Sequence, residues 1–295
     1  MRCMTAPLLA LGYQDNWWPI LISPFMRDAL LGGTIVALAA GLLGYFIVVR
    51  NTAFAAHAVA HIGLPGATGA VLLGVPTGLG LGAFCVGGAI VIGALGKRVD
   101  DRDVATGTVL AMAIGLGLLF SSLATKNAST MTNVLFGNLL AISHGQLITF
   151  AGLLILLGIC VGFIYRPLLF ASINPLVAQA KGVPVQSLSI IFMALLGLAV
   201  TMAVQVVGTL LLFALLVTPA ATAIRLAARP LIAMFISTTI SVVSVWVGLG
   251  VSAMFNMPPS FVIVAIACMV WFVVQLASHR IRLPVRTFHN GRPPH

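Results

Sequence analysis

The chain reads Phe54-Ala-Ala-His57-Ala-Val-Ala-His61-Ile-Gly-Leu-Pro65 within a longer stretch, residues 51–96, that carries no charge. Two imidazoles are thus embedded in sequence that is apolar enough to cross a membrane. Histidines four residues apart project from one face of a helix, with Cβ atoms about 5–6 Å apart, so both rings can reach one metal ion. Because polar side chains at membrane depth mark functional sites, we predict that His57 and His61 are metal ligands.

The composition around this stretch predicts an all-α, polytopic membrane protein. Hydrophobic residues make up 60% of the 295 residues and charged residues only 7%. Several apolar runs exceed the roughly 20 helical residues that cross a bilayer, and they are longer than the roughly ten-residue alternating strands of a barrel. The first begins near Ala29, without the pattern of a cleavable signal. The cysteines lack the spacing of a zinc or redox motif, and we interpret them as apolar packing residues: Cys3, Cys85, Cys160 and Cys268.

The scarce charges separate nine candidate transmembrane helices. Residues 125–144 are predicted to form an external loop with a half-helix. Eight spans are the alternative, if one pair is a single broken or re-entrant helix. The predicted spans are residues 28–50, two within 51–96 that break near Gly74-Val-Pro76, 104–124, 146–165, two within 185–224 that meet near Gln205 to Gly208, and two within 230–278 that break at Asn256-Met-Pro-Pro.

The basic residues predict how the chain is oriented. If the spans alternate, 12 of the 15 Lys and Arg residues lie on one side, which is the cytoplasmic side by the positive-inside rule. This topology places an N-terminal segment, residues 1–24, outside the cell membrane, a transmembrane domain at 25–278, and a basic tail, residues 279–295, in the cytoplasm. Trp17 and Trp18 are expected at the interface. The net charge of +10 is spread over short loops, which argues against nucleic acid as a partner.

The chain has few residues with which to act as an enzyme. It contains no glutamate, and its aspartates lie in or beside predicted loops, so no carboxylate is available inside the membrane as a base or proton relay. His57 and His61 have the spacing of a metalloprotease helix, but Ala58 stands where the catalytic glutamate belongs. A phosphate-binding loop is missing as well. We therefore predict no enzymatic activity, and any ATP used must bind to another chain.

The histidines also allow a structural interpretation, in which each hydrogen-bonds a carbonyl or serine of a neighbouring helix. We favour metal binding because there are two on one face, between small alanines. Neutral imidazole suits zinc and accepts manganese or iron(II) less selectively. The remaining ligands must come from elsewhere. His144 and Asn138 in the external loop are candidates for the place where metal enters, although each is equally an ordinary loop residue.

The segment after the fifth span, residues 166–184, is interrupted by prolines, the first of which is Pro167. Its second half predicts a short cytoplasmic helix. Asn174 is suited to cap it, Pro175 to occupy its first position, and Gly182 to end it before Pro184. An apolar, capped helix in such a loop fits a groove on a partner protein. The alternative is an interfacial helix that faces lipid.

The order of these features resembles the membrane subunits of ABC transporters that import zinc, manganese or iron with a solute-binding protein. The resemblance spans about residues 24 to 278. It is carried by Pro24-Phe25-Met26-Arg27-Asp28, Val48-Val49-Arg50, His61 with Leu64-Pro65-Gly66, Leu135-Phe136-Gly137-Asn138, Ala178 with Gly182, Gly208-Thr-Leu-Leu, and Thr218-Pro219-Ala220-Ala221.

The resemblance implies a homodimeric or heterodimeric permease with two cytoplasmic ATPases and an extracytoplasmic metal-binding protein, with no permanently bound cofactor. The family's metal helix usually reads Gly-Asp-x-Leu-Ser-His, so His61 matches its histidine while His57 replaces its aspartate, which favours Zn²⁺ over manganese. Pro175, Ala178 and Gly182 match the helix that couples the permease to the ATPase. The tail histidines His279, His289 and His295 are expected to be part of a basic end, with metal sensing as the alternative.

Two other functions are compatible with the sequence. One is a channel or secondary carrier that works without an ATPase. The other is an ABC permease for metal chelates such as siderophores, whose larger cargo requires a wide cavity and no direct metal ligands.

Overall fold

The computed structural model describes residue 19 and residues 23–96, 99–123, 128–255 and 257–280, and the regular elements in these ranges are all helical. A short 3-10 turn, Leu139–Ala141, lies between the fifth and sixth α-helices. The α-helices are α1 Pro24–Val49, α2 Ala53–Leu73, α3 Thr77–Leu95, α4 Val99–Leu123, α5 Ala128–Phe136, α6 His144–Ile173, α7 Pro175–Ala180, α8 Val185–Val207, α9 Thr209–Leu226, α10 Pro230–Phe255 and α11 Pro259–Arg280.

Eight of these helices are long and apolar enough to cross a membrane within the described ranges: α1, α2, α3, most of α4, α6, α8, α10 and α11. The helix α9 contributes a shorter apolar segment, Leu212–Leu226. The predicted all-α, polytopic fold is therefore confirmed. The nine predicted candidates correspond to the eight spans together with α9, and α5 is the half-helix expected in the external loop.

Glycines with positive φ end or separate several helices where the sequence predicted breaks. Gly74 adopts a left-handed conformation, φ 68°, at the end of α2. Gly208, φ 87°, separates α8 from α9, and the main chain of Gly137, φ 75°, packs directly against it. A Cβ on either Gly137 or Gly208 would overlap the main chain of the other segment, so only glycine allows this crossing.

The helix α6 differs from the prediction of a span that ends near Tyr165. It continues through Pro167 to Ile173 and reaches 30 residues. A proline leaves one carbonyl of the preceding turn without its N–H partner, yet membrane helices tolerate this because no water competes for the main chain. The proline that we interpreted as an interruption therefore lies inside a helix.

The spans are not equally buried, and this places α2 at the centre. In the most apolar 18-residue stretch of each helix, the buried share is 67% in α1, 67% in α2 and 72% in α8. It is 28% or less in α3, α4, α6 and α11. Small residues allow the central helices to approach closely, for example Gly66 of α2 against Gly80 of α3. The histidines of α2 therefore lie on one of the three most buried spans, although both side chains are themselves only half-buried.

Polar contacts identify the two ends of the bundle. At one end, the Arg50 guanidinium donates to Ser172 and the Gln186 amide donates to the Gly93 carbonyl, at 3.3 and 3.2 Å. At the other end, the N–H of Asn138 donates to the carbonyl of Gln205. Most of the predicted N-terminal segment, with Trp17 and Trp18, and residues 281–295 of the tail, with His289 and His295, lie outside the described residues. The charges Lys97, Arg98 and Lys126 also lie outside them, and the side chain of His279 is not described either.

Candidate metal site

The turn before α2 fixes where its histidines lie. Thr52 is buried, and both its N–H and its hydroxyl donate to the carbonyl of Ile47, at 2.9 and 3.2 Å. The Thr52 carbonyl then accepts from Ala56 in the first turn of α2. These bonds anchor the helix start to the end of α1, so His57 and His61 follow at a defined depth.

The structure brings the two imidazoles together, as the spacing predicted. The ring centroids of His57 and His61 are 4.7 Å apart, and the ring planes are inclined by 78°. Both side chains are half-buried. The Nδ1 atom of His57 is buried and has no hydrogen-bond partner. A neutral imidazole with an unused nitrogen next to a second imidazole can act as a metal ligand without breaking an existing bond.

Phe213 of α9 forms one side of this pair. Its ring is 5.9 Å from the ring of His57, centroid to centroid, in an edge-to-face arrangement with an interplanar angle of 89°. Phe213 is 40% exposed, which is high for a ring in contact with the central helix. Sequence reasoning did not identify Phe213, because residues 57 and 213 lie on separate spans and nothing in the chain signals their contact.

Pro65, inside α2, changes the main-chain hydrogen bonding of the turn that begins at His61. Proline has no N–H, so it cannot donate the usual helical hydrogen bond to the carbonyl of His61, four residues earlier. One turn further on, the hydroxyl of Thr68 donates to the carbonyls of Leu64 and Pro65, at 3.0 and 3.3 Å. The carbonyl oxygen of His61 therefore lacks its normal helical donor.

The described residues offer two imidazoles close together but no larger cluster of metal-binding side chains. Among the described residues, no group of three or more His, Cys, Asp or Glu side chains is placed to hold a metal ion. The pair at His57 and His61 offers two nitrogen donors, and a four-coordinate metal ion would need two more.

The segment between α5 and α6, predicted to be an external loop, places Asn138 and His144 differently. Asn138 lines a cavity of about 200 Å³, together with three other amide side chains, Asn133, Gln146 and Gln205. His144 is exposed at the first position of α6 and is not part of that lining. These amides come from α5, the turn that follows it, α6 and α8. No local motif in the sequence could have indicated that they share one cavity.

The predicted short helix is present as α7, Pro175–Ala180. Asn174 caps it, accepting a hydrogen bond from the N–H of Val177 at 3.1 Å, and Gly182 follows with φ 81°. Ala178 is fully buried against the chain's own bundle. Leu176 and Val177 are 78% and 42% exposed, so the helix presents apolar side chains outwards.

Comparison with known proteins identifies similar sequences and folds. The ABC 3 transport family matches residues 23–278. The manganese transport system membrane protein MntC of Listeria innocua is 30% identical over 253 residues, which cover 85% of this chain and 90% of that protein. The manganese import system permease protein ScaB of Streptococcus gordonii is 30% identical over 250 residues, 84% of this chain and 90% of the relative.

Two solved structures share the architecture. PsaBC from Streptococcus pneumoniae in complex with Fab contains a chain with a TM-score of 0.78 and 29% identity, covering 88% of this chain and 94% of that one. A metal-chelate type ABC transporter in an inward-facing conformation has a TM-score of 0.66, covering 91% and 94% of the two chains. Its identity of 16% limits that likeness to the fold.

Proposed function

The chain belongs to the ABC 3 transport family and is an ABC permease of a metal importer, and we propose that it carries zinc, with His57 and His61 as the ligands along its path. The observation that carries this proposal is the pair of imidazoles on α2, 4.7 Å apart near the centre of the bundle. Manganese and iron are the alternative cargoes. The chain is a multi-pass membrane protein, and it is a transport subunit rather than an enzyme.

The choice of zinc follows from the donor atoms. The relatives MntC and ScaB are named for manganese. Manganese is a harder ion that suits oxygen ligands, whereas imidazole nitrogen binds zinc more strongly. Where the resemblance leads us to expect aspartate, this chain has His57. Replacing an oxygen ligand by nitrogen favours zinc at this site.

A second permease chain would complete the site. One chain contributes two imidazoles, and a symmetric copy would contribute two more, which gives the four nitrogen ligands of a tetrahedral zinc ion. This arrangement is supported by the exposure of the site, because His57 and His61 are half-buried and Phe213 is 40% exposed, so a partner can still reach them. A homodimer is therefore the assembly that we propose, and a heterodimer with another permease is the alternative.

The energy would come from separate ATPase subunits that bind at α7. Pro175 starts this helix, Gly182 ends it, and buried Ala178 fixes it against the bundle. Leu176 and Val177 are then free to enter a groove on the ATPase. In this proposal, ATP-driven closure of the ATPases moves α7 and tilts the spans. Metal delivered by an extracytoplasmic binding protein then passes His57 and His61 towards the cytoplasm by alternating access.

Reconstitution in liposomes tests the proposal. The permease with its ATPase and binding protein is expected to take up zinc in an ATP-dependent manner, in preference to manganese and iron. His57→Asp should shift the preference towards manganese by about tenfold. Equal uptake of all three metals by both variants would contradict the ligand assignment.

Two further outcomes distinguish the other functions. Undiminished uptake of free zinc after combined His57→Ala and His61→Ala would favour a permease for metal chelates. Movement of zinc by the purified chain without ATP or ATPase would favour a channel or secondary carrier.

A further inference from the structure

The turn between α1 and α2 holds an arginine at the point where four helices converge. Arg50 follows the last residue of α1, and Asn51 has a positive φ of 53°. The Arg50 Nη1 atom donates to the Ser172 hydroxyl of α6 at 3.3 Å. Its guanidinium carbon lies 5.2 Å from the centroid of the Phe192 ring of α8. One side chain therefore connects the start of the histidine helix α2 to α6 and α8.

Ser172 places the hydrogen bond with Arg50 close to the short helix α7. It lies three residues before Pro175, the first residue of α7, and directly precedes Ile173, at which α6 ends. The Ser172 hydroxyl donates to the Leu168 carbonyl at 2.6 Å, so its oxygen is free to accept from Arg50. The hydrogen bond thus joins the base of the short helix α7 to the turn that positions His57.

The charge of Arg50 is poorly compensated. Its Nε atom is buried without a hydrogen-bond partner, and among the described side chains no carboxylate pairs with it. Burial, together with repulsion from Arg102 of α4, lowers the pKa of Arg50 to about 10. A buried donor without a hydrogen-bond partner costs stability, and an apolar residue of similar size would leave no such group. The position therefore calls for an explanation other than packing.

We propose that Arg50 is a positioning residue that couples the movement of α7 to the histidine pair. This inference rests on the proposed function, in which α7 receives the ATPase. When α7 moves, the hydrogen bond between Arg50 and Ser172 carries the displacement to the turn before α2, and α2 starts at Ala53, four residues before His57. The Phe192 ring provides a surface over which the planar guanidinium can shift without losing its contact.

The test compares variants in the complete transporter, reconstituted with its ATPase and binding protein. Three quantities are measured: zinc bound by the permease, ATP hydrolysed, and zinc taken up per ATP. Arg50→Met removes the charge and the hydrogen bond, and Ser172→Ala removes only the acceptor. Arg50→Lys retains the charge without the planar fork. Arg229→Met, at an exposed arginine of the connection between α9 and α10, is the matched control for loss of one positive charge.

A coupling role predicts a specific pattern. Arg50→Met should bind zinc and hydrolyse ATP within about twofold of the wild type while uptake per ATP falls by about tenfold, and Ser172→Ala should lower it by about threefold. Arg50→Lys should fall between the wild type and Arg50→Met, and Arg229→Met should match the wild type. Unchanged uptake per ATP in Ser172→Ala and in Arg50→Met would overturn the proposal.

Two results distinguish failure of the coupling proposal from failure of the proposed function. If Arg50→Met lowers thermal stability, zinc binding and hydrolysis together, and Ser172→Ala has no effect on uptake per ATP, then Arg50 has a structural role and the proposal is overturned. If the wild-type complex itself binds no zinc or moves none with ATP, the proposed function fails. The coupling proposal is judged only from the ratios between a transporting wild type and its variants.

Discussion

The ring of Phe213 stands edge-on to the ring of His57, with centroids 5.9 Å apart. The two residues lie on different spans, α9 and α2, and the contact exists because α9 starts again at Thr209 after the break at Gly208. The break sets the depth at which Phe213 meets the histidine pair. An aromatic side chain that limits the rotation of a ligand ring preorganises the metal site.

Replacing Phe213 should weaken metal binding without unfolding the protein. Phe213→Ala removes an aromatic contact of about 0.5–1.5 kcal/mol, so zinc affinity should fall about two- to tenfold. Phe235→Ala, at a phenylalanine of α10 that is 73% exposed, should leave the affinity unchanged. Calorimetric titration of both purified variants with zinc tests this expectation. Equal affinities in the two variants would mean that Phe213 does not orient His57.

The crossing of Gly137 and Gly208 should be intolerant of any side chain. A Cβ at Gly208 would meet the main chain of Leu135 to Gly137, and the positive φ adds strain of about 1–3 kcal/mol. Gly208→Ala should therefore lower the thermal midpoint by about 5–10 °C. Gly137→Ala should have a similar effect, since each Cβ meets the other segment.

Gly158→Ala is the matched control for this pair. Gly158 lies in α6, where an added Cβ meets nothing within 4 Å and alanine improves helix propensity. Thermal unfolding in detergent, followed by fluorescence, should leave this variant at or above the wild type. A midpoint for Gly208→Ala equal to that of Gly158→Ala would show that the crossing can relax.

Much of the fold could be predicted because charges are excluded from hydrocarbon. Arg50 directly follows the first span, whereas Asp28 lies inside it, four residues after its start. The pair His57 and His61 lies on one face because residues four apart do so in any helix. The capped helix α7 was equally local, since Asn174 acts through its own side chain on the first turn and Pro175 and Gly182 act through their own main chain. These features depend on neighbours in sequence.

What could not be predicted depends on packing between distant segments. The contact of Phe213 with His57, the bond between Arg50 and Ser172, and the amide cavity around Asn138 all join residues from different helices. Pro167 was misinterpreted for another reason. Proline ends helices in water, but a helix surrounded by lipid and protein has no alternative partners for its main chain and continues.

The exposed apolar side chains of α7 should be required for binding the ATPase. Leu176→Asp places a charge where an apolar groove is expected, so the permease should retain less of its ATPase during purification, by about tenfold. Gln179→Asp is the matched control, because it adds the same charge to the same helix and leaves Leu176 and Val177 in place. If α7 instead lies against lipid, Leu176→Asp should co-purify with the ATPase as the wild type does.

The predicted orientation places Ser143 outside the cell and Gln179 inside. Both residues are exposed, and they lie next to opposite ends of α6, a helix of 30 residues that is about 45 Å long. A membrane-impermeant maleimide should therefore label Ser143→Cys in intact cells, in a chain whose native cysteines are replaced, and label Gln179→Cys only after the membrane is opened. The positive-inside rule requires this result, because Lys181 and Arg166 lie at the same end as Gln179. Labelling of Gln179→Cys alone in intact cells would invert the topology, and α7 would then face away from any cytoplasmic ATPase.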